Sequence, residues 1–210
     1  MSEVTDFTHR IEPGVGPAAA TTLLLLHGTG GDENDLIPLG RLLAPHATLL
    51  SVRGKVREHG MPRFFRRLAE GVFDLDDLRR RTHELADWLD VACDEHLLTR
   101  DRVVAVGFSN GANIAASMLL LRPGALAGAM LLSPMVPFEP EPPGTLVKTP
   151  VWIGAGRADA IAPFAQAERL AAILAATGAA VSLYATAGGH GITADEVEAG
   201  RAWLSPHLAG

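Results

Sequence analysis

Ser109 stands in the run Gly107-Phe108-Ser109-Asn110-Gly111, directly after the apolar stretch Val103-Val104-Ala105-Val106. A serine hydroxyl attacks a carbonyl only when it is exposed, aimed and paired with a base. A sharp strand-to-helix turn does the exposing and aiming, holding the serine in a strained conformation at the top of a sheet. The flanking glycines are needed because strand and helix pass so closely that a Cβ would clash. The stretch after the serine, Ala112-Asn113-Ile114-Ala115-Ala116-Ser117-Met118-Leu119-Leu120-Leu121, supplies the helix that this motif requires. The chemistry implied is acyl transfer through a serine nucleophile.

The nucleophile needs a base, and the base needs an acid. Where a serine sits on such a turn, the chain order is serine, acid, histidine. Of eight histidines, only His190 and His207 follow Ser109. His190 lies in Gly188-Gly189-His190-Gly191, in a loop after a strand-like run, whereas His207 sits near the chain end, where chains fray. His190 is therefore the expected base. Candidate acids between the two are Glu139, Glu141, Asp159 and Glu168. Asp159 follows the apolar run Val151-Trp152-Ile153-Gly154 and precedes Pro163, a loop at the same sheet edge. It is the expected acid, with Glu139 and Glu141 as rivals and Glu168 too deep in a helix.

An oxyanion needs two backbone donors. The amide of Asn110 opens the helix after the nucleophile. The second is expected from Thr29, in the turn His27-Gly28-Thr29-Gly30-Gly31-Asp32. His27 precedes the nucleophile and has no metal-spaced histidine partner, so it reads as structural. No metal constellation appears. Gly28-x-Gly30 lacks dinucleotide spacing because Glu33 stands at the third glycine position. No cofactor is expected.

These residues need a scaffold. Strand-like runs recur at Thr22–Leu26, Thr48–Val52, 103–106, 129–132, 151–153 and 181–184. They are apolar throughout rather than alternating, as in strands buried on both faces. Helix patterns fall between them near 35–44, 74–97, 110–121, 163–176 and 193–206. Alternation of this kind predicts an α/β fold with a mostly parallel central sheet and helices on both faces. Residues 1–20 allow a short edge hairpin. The proline-rich stretch 134–143 reads as a loop at the C-terminal edge of a strand, where ligands bind in open α/β sheets.

Composition bounds the function. A chain of 210 residues suits one domain, 1–210, with no linker long enough to divide it. Nearly half its residues are hydrophobic and 20% are charged, which excludes a disordered chain. The net charge of −6 argues against a nucleic-acid partner. Basic stretches at 63–67 and 79–81 have acids close behind them and read as solvated helix faces. A single cysteine, Cys93, forbids an intrachain disulfide and reads as a buried apolar residue. No signal-peptide pattern and no membrane span are evident, so a cytoplasmic protein is expected.

Together the His27–Gly31 loop, the 107–111 turn, the acid loop 156–163 and the run Gly189-His190-Gly191-Ile192-Thr193 resemble the phospholipase/carboxylesterase family of α/β-hydrolases, which includes the acyl-protein thioesterases. The run Gly60-Met61-Pro62-Arg63-Phe64-Phe65 resembles a substrate-side loop of its bacterial esterase branch. The resemblance implies an α/β-hydrolase fold without a large cap domain. It also implies Ser109, Asp159 and His190 as a triad, a small-molecule ester substrate, and pairing into a homodimer as a common property. Thioesterase members carry glutamine where this chain has Asn110, and the acid loop here, Gly154 to Pro163, lacks their usual histidine and proline. The small bacterial carboxylesterases are the nearer match. Met61, Phe64, Met135 and Phe138 are expected to edge an open cleft, the alternative for Phe64 and Phe65 being the core. Thioesterase or lysophospholipase activity, chemistry like that of dienelactone hydrolases (which carry cysteine at this turn), and a ligand receptor built on the fold remain open.

Overall fold

A computed structural model of the chain describes residues 6–139 and 145–208. Eleven strands and five α-helices occur among these residues. In chain order they are β1 (His9–Glu12), β2 (Thr22–Leu26), α1 (Ile37–Leu43), β3 (Thr48–Val52), β4 (Val56–Glu58), β5 (Met61–Arg63), β6 (Arg67–Ala69) and β7 (Val72–Phe73). The chain continues with α2 (Leu75–Glu95), β8 (Val103–Phe108), α3 (Asn110–Leu121), β9 (Gly128–Leu132), β10 (Pro150–Gly156), α4 (Phe164–Ala176), β11 (Ala180–Thr186) and α5 (Ala194–Leu208).

Seven strands form one sheet in the order β1-β3-β2-β8-β9-β10-β11. All neighbours run parallel except β1, which pairs antiparallel with β3. Among the described residues the N-terminal segment thus contributes one edge strand rather than a hairpin, and its partner lies some forty residues along the chain. The apolar runs become the central strands, and β2, β3 and β9 bury every residue. Burial on both faces is what an uninterrupted apolar run allows. At the far edge, β11 leaves every residue exposed or half-buried, since it has a strand neighbour on one side only.

Two apolar cores flank the sheet. One gathers Leu78, Leu85 and Leu89 of α2, Ile114 and Met118 of α3, and Leu170 and Leu174 of α4 against one face. The other packs Ile37 and Leu43 of α1 and Leu204 of α5 against the opposite face. Helix α2 starts where its acids predict: Asp74 caps it by accepting from the Asp77 amide at 3.1 Å, and Asp76 and Asp77 occupy its first turn.

The segment between β3 and α2 holds what periodicity did not announce. Two short ribbons, β4 with β5 and β6 with β7, fold over the C-terminal edge of the sheet. Strands of two or three residues are too short to show alternation. The basic stretch at 63–67 is therefore not a helix face: Arg63 ends β5, is buried, and Arg67 begins β6. The stretch at 79–81 does lie on a helix, α2, with Arg79 and Arg80 exposed.

Candidate active site

Ser109 joins β8 to α3 with φ 51° and ψ −113°, a conformation that L-residues adopt only under constraint. Three constraints hold it. Its amide donates to the Leu132 carbonyl at 2.9 Å, and its own carbonyl accepts from the Asn113 amide at 3.0 Å. The third is close approach. A Cβ on Gly107 would stand 2.5 Å from the Gly111 carbonyl oxygen, and one on Gly111 would overlap the carbonyl of Leu26 in β2.

His190 and Asp159 reach Ser109 from the loops after β11 and β10. Nε2 of His190 lies 2.9 Å from Ser109 Oγ, and its Nδ1 lies 2.7 Å from Asp159 Oδ2. A proton on Nδ1 directed at Asp159 leaves Nε2 to accept from the serine hydroxyl. The other oxygen of Asp159 accepts from the amides of Ile161 and Ala162, each at 2.8 Å. The carboxylate is fully buried and both oxygens are occupied, as a buried charge requires. The loops are stitched to each other, with the Arg157 amide donating to Thr186 O and the Ala158 amide to Gly188 O, both at 2.9 Å.

The described rival residues lie away from Ser109. Glu139 pairs with Arg169 of α4 at the surface, Glu168 is exposed on α4, and the His207 ring packs on Trp203 near the end of α5. Glu141, with positions 140–143 of the proline-rich loop, lies outside the described residues.

Thr29 and Asn110 both line the cavity that opens on Ser109. As the first residue of α3, Asn110 has an amide with no intrahelical acceptor. The Thr29 turn is clasped from two sides. Gly30, at φ 88°, donates its amide to Pro62 O at 2.9 Å, and Arg63 Nη1 donates to Thr29 Oγ1 at 2.9 Å. Beneath it His27 is buried and lies within the molecule as a spacer between backbones. Its Nδ1 donates to Gly28 O at 2.6 Å and its Nε2 accepts from the Gly54 amide at 2.9 Å. Burial holds its pKa below the ordinary imidazole value. The neutral ring ties the Thr29 turn to the chain leaving β3, which is the structural part expected of it.

The cavity measures about 270 Å³ and is open to solvent. Of the four residues expected to edge it, only Met135 lines it, with its amide donating to Asn113 Oδ1 at 2.7 Å. Met61 is 40% exposed and stands beside Gly30, outside the lining. Phe64 and Phe138 correct the expectation. Phe64 is only 2% exposed, with its ring 4.8 Å from that of His27, and Phe138 is buried under the Arg79 guanidinium. Both fill the core, because burying an aromatic ring there gains more than leaving it at an open cleft. The apolar lining instead comes from Phe73, Phe108 and Ile161. Arg63 and Arg67 line the cavity too, and sequence reasoning missed them. Their signal was present, since both lie in or beside the segment that resembles an esterase loop.

Among the described residues no cluster of histidine, cysteine and carboxylates could hold a metal ion, and no helix is long and apolar enough to cross a membrane.

A parallel sheet carrying a serine on the turn after its central strand, with no large insertion above it, defines the α/β-hydrolase class. Comparison with known proteins narrows this. Residues 8–208 match the phospholipase/carboxylesterase family, and the chain belongs to it. It is 51% identical over 181 residues to MhqD of Bacillus subtilis (strain 168), a hydrolase by name, covering 86% of this chain and 90% of that protein. The crystal structure of the Bacillus cereus carboxylesterase superimposes with a TM-score of 0.93 at 45% identity, covering 96% of this chain and 94% of that one. A carboxylesterase from Mesorhizobium loti gives 0.87 at 32%, covering 95% and 94%.

Proposed function

We propose that this hydrolase is a serine carboxylesterase acting on small to medium carboxylic esters through an acyl-enzyme on Ser109. The observation that carries the reading is the continuous hydrogen-bonded chain from Ser109 Oγ through His190 to the buried Asp159. Two structurally similar proteins named carboxylesterases support it.

In this reading Ser109 Oγ bonds to the ester carbonyl carbon as its proton passes to His190 Nε2. The carbonyl π electrons move onto oxygen, and the Thr29 and Asn110 amides donate hydrogen bonds to the resulting oxyanion. The carbonyl re-forms, the bond to the alcohol oxygen breaks, and His190 returns the proton to that oxygen. Water, deprotonated by the same nitrogen, then attacks the acyl-enzyme; as the bond to Ser109 Oγ breaks, His190 returns that proton to Oγ and the acid leaves. Asp159 holds the ring and stabilises the imidazolium without taking its proton.

The cavity suits the substrate size. At about 270 Å³ it lies just under the usual range for small-molecule pockets, roughly 300–1,000 Å³. A long acyl chain would extend into solvent. A reducing, cytoplasmic setting suits the buried Cys93, whose thiol burial pushes up in pKa and away from reactivity. The reading is tested with p-nitrophenyl esters from acetate to laurate. It predicts turnover that peaks at short chains. A folded protein that binds these esters without turning any over would favour a receptor instead.

A further inference from the structure

We propose that the cleft selects esters that carry a second, free carboxylate, received by the guanidinium groups of Arg63 and Arg67. The proposal rests on the serine esterase reading and names its substrate class.

Arg63 is 3% exposed, an unusual place for a guanidinium. A guanidinium carries five N–H donors and no acceptor. Its Nε donates to Phe65 O at 3.3 Å and its Nη1 donates to Thr29 Oγ1 at 2.9 Å, while Nη1 also forms an ion pair with Glu58 Oε2 at 3.1 Å. Among the described residues nothing accepts from Nη2. Arg67 donates through Nε to the other oxygen of Glu58 at 2.9 Å, and neither of its terminal nitrogens has an acceptor among the described residues. Both side chains line the cavity that holds Ser109.

The charges do not cancel locally. Glu58 draws the two guanidinium groups to one place, yet supplies one negative charge against two positive ones. Burial first, and then the charge of Arg67, make protonated Arg63 less favourable than usual. A second carboxylate relieves that repulsion. Glu70 also lines the cavity but is exposed, so water screens it, and Asp159 is already committed to His190. A planar carboxylate matches the fork of a guanidinium, and a small cavity favours a short diacid or hydroxy-acid skeleton over a bulky one.

The test compares monoethyl succinate with ethyl 4-methylpentanoate, which has the same shape and no charge. Carboxymethyl acetate, with the charge on the alcohol side, tells which half of the substrate the arginines meet. Wild type is expected to show at least tenfold higher kcat/KM for one charged ester, mostly through a lower KM, and the advantage shrinks as salt rises. Arg67→Gln, at a position 29% exposed, should reduce the charged-to-neutral ratio about tenfold, and Arg67→Lys should restore part of it. A ratio unchanged by Arg67→Gln, with the neutral ester still cleaved in a Ser109-dependent way, overturns this proposal alone. Failure to cleave any of the three esters overturns the esterase reading along with it.

Discussion

Gly111 and Leu26 meet backbone to backbone: a Cβ on Gly111 would overlap the carbonyl oxygen at the end of β2. This contact lets α3 start directly above the strand that leads to Thr29, so the nucleophile and the turn holding the proposed oxyanion donor are positioned by one packing event. Gly111→Ala should cost about 3 kcal/mol or more, because the obstacle is main chain and cannot rotate away. Chemical denaturation would show it as a fall in midpoint at unchanged slope.

Phe64 tests the division between core and cleft. With its ring beside His27 and almost no exposure, it belongs to the core. Phe64→Ala should lower stability by roughly 3–5 kcal/mol, while Met135→Ala, at the cavity wall, should act mainly on KM. Paired thermal melts and ester kinetics separate the two effects. A Phe64→Ala protein of full stability and raised KM would return this ring to the cleft.

His27 gives a pH dependence of definite sign. Its pKa lies below the ordinary imidazole value because burial disfavours the charged form. Below about pH 6.5 the unfolded chain binds a proton that the native protein refuses, so acid favours unfolding. Stability from this group is complete above that range and is lost as pH falls through it. Glutamine keeps one donor and one acceptor, so His27→Gln should flatten the fall of Tm between pH 7 and 5. Parallel curves for the two proteins would show that His27 does not titrate as described.

Glu196 runs the other way. It is buried in the first turn of α5, where its Oε2 accepts from the Thr193 amide and Thr193 Oγ1 accepts from its own, a reciprocal cap just after His190. Its Oε1 has no partner among the described residues, and burial raises its pKa. The native state therefore holds a proton that the unfolded chain gives up above the ordinary glutamate range, near pH 4.3. Its contribution is full below that pH and is lost as pH climbs through the raised value. Glu196→Gln should remove this loss, seen as a Tm gain over wild type that grows with pH. An equal Tm difference at every pH would contradict it.

The sheet was legible because its central strands are apolar end to end, and because the serine turn carries its own punctuation. The positions of His190 and Asp159 followed from chain order and loop placement. The ribbons β4 to β7 were hidden, since two- and three-residue strands leave no periodic trace. That omission cost the cleft its walls. Hydrophobicity alone cannot tell a core ring such as Phe64 or Phe138 from a lining one. Nearby acids suggest a solvated helix face for Arg63 and Arg67, whereas the fold places both in the wall of the cavity that holds Ser109.

Whether Ser109 is the nucleophile is read by covalent capture. The intact protein would be treated with a p-nitrophenyl phosphonate ester, which leaves a stable phosphonyl group on an activated serine. Digestion and mass spectrometry should place the added mass on the peptide containing Ser109, with one nitrophenolate released per chain. Ser109→Ala should take up none while melting within a few degrees of wild type. Equal labelling of the Ser109→Ala protein, or modification at another residue alone, would show that Ser109 is not the nucleophile.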